Sequence, residues 1–166
     1  MEPLDDAIDH VRGPSGAPEI VEYGDYECPY SRRAFREIER VEKQTGVRFA
    51  FRHFPLTQIH PHALAASAAA EAAALQGRFW DMHELLFHRQ GALEHADLLL
   101  YAAELALDVA RFEADMARAD IGSRIQRDVE SGLATGEVHG TPTIFVDGVV
   151  HRGAYEAAAL IEALAR

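Results

Sequence analysis

The sequence is poor in cysteine and in positive charge: its 166 residues include one cysteine, Cys28, and 16 Lys and Arg against 27 Asp and Glu. A single cysteine cannot form an intramolecular disulfide, so the core alone must hold the fold, and any disulfide of Cys28 joins it to another molecule. The formal net charge of −11 repels nucleic acid and anionic lipid. No basic run is longer than Arg32-Arg33, and we therefore predict no nucleic-acid partner.

Long apolar segments are also missing, and no run approaches the roughly 20 residues of a membrane span. The acidic N-terminal residues 1–6 lack the basic and apolar regions of a signal peptide. We therefore expect no membrane insertion, a cytoplasmic location and a monomer or weak dimer. A composition of 48% hydrophobic and 26% charged residues is ordinary for a globular domain.

Glycine and proline interrupt residues 1–18, which we predict to be an irregular lead-in to one domain over residues 19–166. A strand over residues 19–24, a helix over 29–45 and an alternating strand over 47–54 predict a βαβ unit, whose two strands should be parallel. An all-helical segment is predicted over about residues 58–136. Residues 143–151 then form a hairpin with an Asp-Gly turn, and a helix follows over 155–165. This order predicts an α/β fold.

The segment Cys28-Pro29-Tyr30-Ser31 lies where the first strand meets the first helix. Pro29 suits the first helical turn, where its missing N–H would have no partner, which makes Cys28 the predicted N-cap residue. A sulfur there lies near free backbone N–H groups, and Ser31, one turn further on, can donate a hydrogen bond to a thiolate. The competing interpretation is an inert buried cysteine.

Two motifs resemble those of DsbA-like thioredoxin-fold proteins. The first is Gly-Asp-Tyr-Glu-Cys-Pro-Tyr-Ser, which ends at Ser31 where that family usually has a second cysteine. The second is His-Gly-Thr-Pro-Thr-Ile-Phe-Val-Asp-Gly, residues 139–148, which is similar to the family's cis-proline loop and following strand. The chain also resembles stand-alone bacterial members and the thioredoxin-like domain fused to some sodium/proton antiporters.

The resemblance implies a thioredoxin fold whose helical insertion lies over the cysteine. It makes Cys28 the nucleophile and Pro142 the cis-proline facing it, while Thr141 presents backbone groups to the substrate beside Pro29 and Tyr30. Glu22 matches a buried acid that assists proton transfer, although a solvent-facing strand residue would fit this position equally well.

Ser31 departs from the family pattern because serine cannot resolve a mixed disulfide. Either the residue was exchanged experimentally or the protein uses a monothiol route. We expect a thiol–disulfide oxidoreductase-like enzyme in which the Cys28 thiolate forms mixed disulfides with protein or small-thiol substrates. No cofactor is expected beyond glutathione or another low-molecular-weight thiol as co-substrate. The alternatives are a glutathione-dependent transferase or isomerase of kappa-like type, and a non-catalytic binding or sensing module.

The nine histidines raise the question of a metal site. His60-Pro61-His62 has no cysteine nearby to complete a ligand set, and Pro61 restricts its geometry. We therefore predict that His60 and His62 cap or hydrogen-bond, and that the chain has no metal site. His53 and His139 are expected near Cys28, where either could pair with the thiolate, although structural roles are favoured.

Overall fold

A computed structural model describes the whole chain, from Met1 to Arg166, as one five-stranded mixed sheet with seven helices. The strands are β1 (His10–Arg12), β2 (Glu19–Gly24), β3 (Arg48–His53), β4 (Thr143–Val146) and β5 (Val149–Val150). The helices are α1 (Pro29–Gln44), α2 (Ala63–Ala74), α3 (Phe79–His88), α4 (His95–Glu104), α5 (Val109–Met116), α6 (Ala119–Ala134) and α7 (Ala157–Leu164).

The sheet has the strand order β1-β3-β2-β4-β5, with β2 and β3 parallel and the other pairs antiparallel. The parallel pair is the predicted βαβ unit, with α1 as its connection. The β4–β5 hairpin turns at Asp147 and Gly148, whose φ angles of 45° and 80° are the left-handed values that a tight hairpin turn requires. The predicted thioredoxin-like α/β fold is confirmed.

The N-terminal segment is the part of the fold that the sequence analysis described wrongly. Residues 1–18 were predicted to be irregular, but β1 pairs with β3 and forms an edge of the sheet. Three residues are too few for an alternating pattern to be recognised, and glycine and proline follow them directly. Arg52 anchors the segment, since its guanidinium donates to both carboxylate oxygens of Asp9 at 2.9 Å and to the carbonyl of Glu2 at 3.2 Å.

Helices α2 to α6 occupy residues 63–134, inside the predicted insertion of about 58–136. Helix α2 is made almost entirely of alanine, and its residues from Ala66 to Ala73 are all buried. Small side chains let α3, α5 and α6 pack closely around it. None of the seven helices has the length and apolar character that crossing a membrane requires.

Candidate active site

Cys28 is the N-cap residue of α1, as predicted, because Pro29 occupies the first helical position and the chain is extended at Cys28, with φ −75° and ψ 121°. The side chain is largely covered, and the residue is 3% exposed. Its Sγ donates a hydrogen bond to the carbonyl oxygen of Thr141 at 3.4 Å. The next two residues, Pro29 and Tyr30, are exposed to solvent.

The loop that faces Cys28 lies between α6 and β4. The Thr141–Pro142 peptide bond is cis, and the carbonyl of Thr141 precedes it directly. Pro142 lines a surface cavity of about 310 Å³ together with His151 and Tyr155. The fold thus brings together two motifs that lie at opposite ends of the chain.

Two details of the sulfur's surroundings differ from the sequence analysis. Backbone N–H groups and the Ser31 hydroxyl were expected to surround the sulfur, but the Cys28 side chain accepts no capping hydrogen bond from the first turn of α1. Ser31 is fully buried, and its Oγ accepts a hydrogen bond from the Asp25 amide at 3.2 Å. A thiolate has no proton to donate to the Thr141 carbonyl, so the observed contact belongs to the protonated thiol.

Glu22 lies in the middle of β2 and is completely buried. Neither carboxylate oxygen has a hydrogen-bond partner. Burial disfavours the charged form and raises the pKa of Glu22 to about 8. The buried placement implied by the family resemblance is therefore the observed one, and the solvent-facing alternative is wrong.

A network of acids and imidazoles fixes the segment before Cys28. Asp25 accepts hydrogen bonds from the amides of Glu27 at 2.7 Å and Leu56 at 2.8 Å, and its second oxygen lies 2.8 Å from Nδ1 of His60. Glu27 contacts His62 in the same way, at 2.9 Å from Nδ1. The prediction of hydrogen-bonding roles for His60 and His62 is confirmed.

Sequence reasoning missed two residues at this site. Gln90, which follows α3, donates from Nε2 to the carbonyls of Tyr26 and Cys28, both at 2.8 Å. Burial raises the pKa of Tyr155, which lines the surface cavity beside Pro142. Neither residue belongs to a local motif, and no signal in the sequence could have found them.

A cysteine at the start of the helix after a central strand, opposite a cis-proline loop and beneath a helical insertion, defines the DsbA-like class of thioredoxin-fold proteins. The family model for thioredoxin matches residues 6–166, and the chain belongs to this family.

Among curated proteins, the chain is similar to Na(+)/H(+) antiporter NhaA 1 of Salinispora arenicola, with 48% identity over 99% of this chain and 25% of the antiporter. It is 45% identical to antiporter NhaA of Herminiimonas arsenicoxydans over 93% of this chain and 25% of that protein. The chain therefore spans about a quarter of the length of these curated relatives.

Solved structures give the same fold. A thioredoxin-like oxidoreductase from Silicibacter pomeroyi superposes with a TM-score of 0.87 at 29% identity, covering 97% of this chain and 92% of that chain. BdbD from Bacillus subtilis superposes with a TM-score of 0.83 at 21% identity, covering 97% of this chain and 93% of that chain. At this identity the similarity concerns the fold alone.

Proposed function

We propose that this protein is a monothiol thiol–disulfide exchange protein. The observation that carries the proposal is the Cys28 sulfur lying 3.4 Å from the Thr141 carbonyl, beside the cis peptide of Pro142. In the first step the Cys28 thiolate attacks one sulfur of a disulfide. A new S–S bond forms between Cys28 and that sulfur, the old S–S bond breaks, and the second sulfur leaves as a thiolate.

The thiol must lose its proton before this attack, and Glu22 is the proposed acceptor. A carboxyl group whose pKa is about 8 changes charge within the neutral to weakly basic range, so it can both take and return a proton there. The Asp25 carboxylate is a weaker candidate because its oxygens already accept hydrogen bonds from two amides and contact His60.

The mixed disulfide then needs an external thiol. Ser31 has no sulfur, and Cys28 is the only cysteine of the chain. A thiolate of glutathione or of a similar small thiol attacks the partner's sulfur, forms a new disulfide with it and releases Cys28 as a thiolate. The exposed side chains of Pro29 and Tyr30 and the backbone of Thr141 are the proposed substrate contacts.

The alternatives are less well supported. A kappa-like transferase would use Ser31 to stabilise a glutathione thiolate, but this side chain is buried and its oxygen accepts from the Asp25 amide. A purely binding module would not need a buried Glu22 without a hydrogen-bond partner. The relative from Silicibacter pomeroyi, which is 29% identical, is a thioredoxin-like oxidoreductase, and this supports exchange chemistry.

The cellular side of the proposal stays a prediction. A cytoplasmic location would supply the reduced small thiols that the second step consumes. Disulfides of proteins or of small thiols are the proposed substrates, and the expected state is a monomer or weak dimer.

The test is the rate at which Cys28 reacts with oxidised glutathione, followed by intact mass. We expect one glutathionyl group per chain, removed by reductant, and a faster reaction in the native protein than in the same chain unfolded in urea. The unfolded chain is the matched control because it carries the same single thiol. A native rate equal to or below the unfolded rate would refute the proposal. A Pro142→Ala variant whose Cys28 gains and loses the glutathionyl group as fast as that of the wild type would also refute it.

A further inference from the structure

A second cluster of chemically active side chains does not include Cys28. It contains His10 on β1, His53 at the end of β3 and Glu71 on α2. The Nε2 atoms of both histidines lie 2.7 Å from Oε1 of Glu71, and the three donor atoms lie within 4.8 Å of one another. We propose that these three residues form a binding site for a divalent transition metal, with Zn²⁺ as the ion they suit best.

The charge of Glu71 is the first argument. Its side chain is 8% exposed, yet its only hydrogen-bond partners are the two imidazoles. Three other buried carboxylates have a permanent cation: Asp9 has Arg52, Asp115 has Arg118 and Asp128 has Arg124. The imidazoles of His10 and His53 supply a compensating positive charge only when they are protonated. A divalent cation bound between the three side chains would supply it permanently.

The orientation of the imidazole rings is the second argument. The ring of Phe79 stacks on His10 with centroids 3.5 Å apart and an interplanar angle of 10°, and it contacts the edge of His53 at 6.1 Å. One aromatic side chain therefore restrains both rings. Because the ligands come from β1, β3 and α2, which the core holds in place, the donor atoms are brought together without an ion.

The third argument is an open coordination position. His10 and Glu71 line a surface cavity of about 320 Å³, while His53 is completely buried behind them. Arg124 also lines this cavity, but its guanidinium is bound to Asp128 and to the carbonyl of Ile8. Two histidines and one glutamate with a fourth position open to water are a donor set that zinc accepts.

Metal binding would require Oε1 of Glu71 to move slightly away from the two Nε2 atoms, which lie 2.7 Å from it. Zinc–ligand distances of about 2.0–2.1 Å place neighbouring donor atoms of a tetrahedral site roughly 3.3 Å apart. The competing interpretation is a metal-free hydrogen-bonded cluster, in agreement with the sequence prediction of no metal site. That prediction rested on local motifs, and these three residues share none.

The experiment is a titration of the folded full chain with Co²⁺ and, in competition with a chromophoric chelator, with Zn²⁺. Cys28 is first alkylated, so that its sulfur cannot be a ligand. We expect one ion per chain, a cobalt absorption spectrum of a four- or five-coordinate site, and a rise in the unfolding temperature with Zn²⁺. The alkylated protein has lost its exchange chemistry, so the result is independent of the proposed function.

Variants decide whether these residues are the ligands. His10→Ala and Glu71→Gln should each weaken Zn²⁺ binding by at least about 100-fold, since even the loss of an outer-shell partner costs about 10–100-fold. His95→Ala is the matched control, because it removes an exposed histidine paired with Glu113 at 2.8 Å and should leave binding unchanged.

Two outcomes would overturn the proposal. One is the absence of stoichiometric binding to the wild-type chain, and the other is undiminished binding by folded Glu71→Gln protein. Glu71→Gln keeps the size and shape of the side chain, so it serves as the second variant if His10→Ala does not fold.

Discussion

Glu22 should make the stability of this protein depend on pH in a way that one substitution removes. The native carboxyl has a pKa of about 8 because it is buried without a partner, against an ordinary value of 4.5. Between these two values the native state binds a proton that the unfolded state has released. The free energy of unfolding therefore falls as the pH rises through this window, by about 1.4 kcal/mol per pH unit from this group alone.

The Glu22→Gln substitution isolates this contribution. The amide is similar in size to the protonated carboxyl and carries no charge at any pH, while all other titrating groups are shared by both proteins. The free energy of unfolding of the wild type minus that of the variant should fall by about 3 kcal/mol from pH 5 to pH 7. A whole domain of this size is stable by only about 5–15 kcal/mol, so the effect is large.

The assay is urea denaturation of both proteins at half-unit intervals from about pH 4 to about pH 9. This range spans the ordinary pKa of a glutamate, 4.5, and the native pKa of Glu22, about 8. Reductant keeps Cys28 as a thiol throughout. The difference should be flat below the lower pKa, fall between the two values and level off above the higher one. A difference that stays constant across the range would mean that Glu22 is ionised in the native state, and would remove it as a proton acceptor.

Three further predictions concern the site and the core. Ser31→Cys should create an internal disulfide with Cys28, seen as the loss of both free thiols after mild oxidation; two persistent thiols would contradict it. Gln90→Leu removes two hydrogen bonds to loop carbonyls and should lower stability by about 1–3 kcal/mol and change the rate of Cys28 alkylation, whereas an unchanged rate would exclude a positioning role. Arg52→Met leaves Asp9 buried without its cation and should cost about 3–5 kcal/mol in denaturant unfolding, with Arg36→Met as the exposed control.

Local patterns were enough to predict most of the fold. The alternation of Phe49 and Phe51 with arginines predicted β3, and Asp147-Gly148 predicted the hairpin. Pro29 located the start of α1 and with it the N-cap position of Cys28. In each case the information lies within a few neighbouring residues, where steric and hydrogen-bonding rules act directly.

The parts that could not be predicted depend on contacts between distant segments. β1 is a strand because β3 offers it an edge, and its own three residues carry no pattern. Tertiary packing likewise sets three other contacts: the hydrogen bond from the Asp25 amide to Ser31 Oγ, that from Gln90 to the Cys28 carbonyl, and the approach of His10 to Glu71. The placement of Pro142 opposite the sulfur came from the family resemblance alone.

The buried acids of this protein separate structural roles from the proposed chemical one. Six acidic side chains are buried, namely Asp9, Glu22, Asp25, Glu71, Asp115 and Asp128. Of these, only Glu22 has no hydrogen-bond partner at either carboxylate oxygen. An apolar residue of similar size would avoid the cost of burying this group, so its presence is not explained by stability. A group proposed to alternate between charged and neutral forms needs such an environment, because fixed partners would hold it in one form.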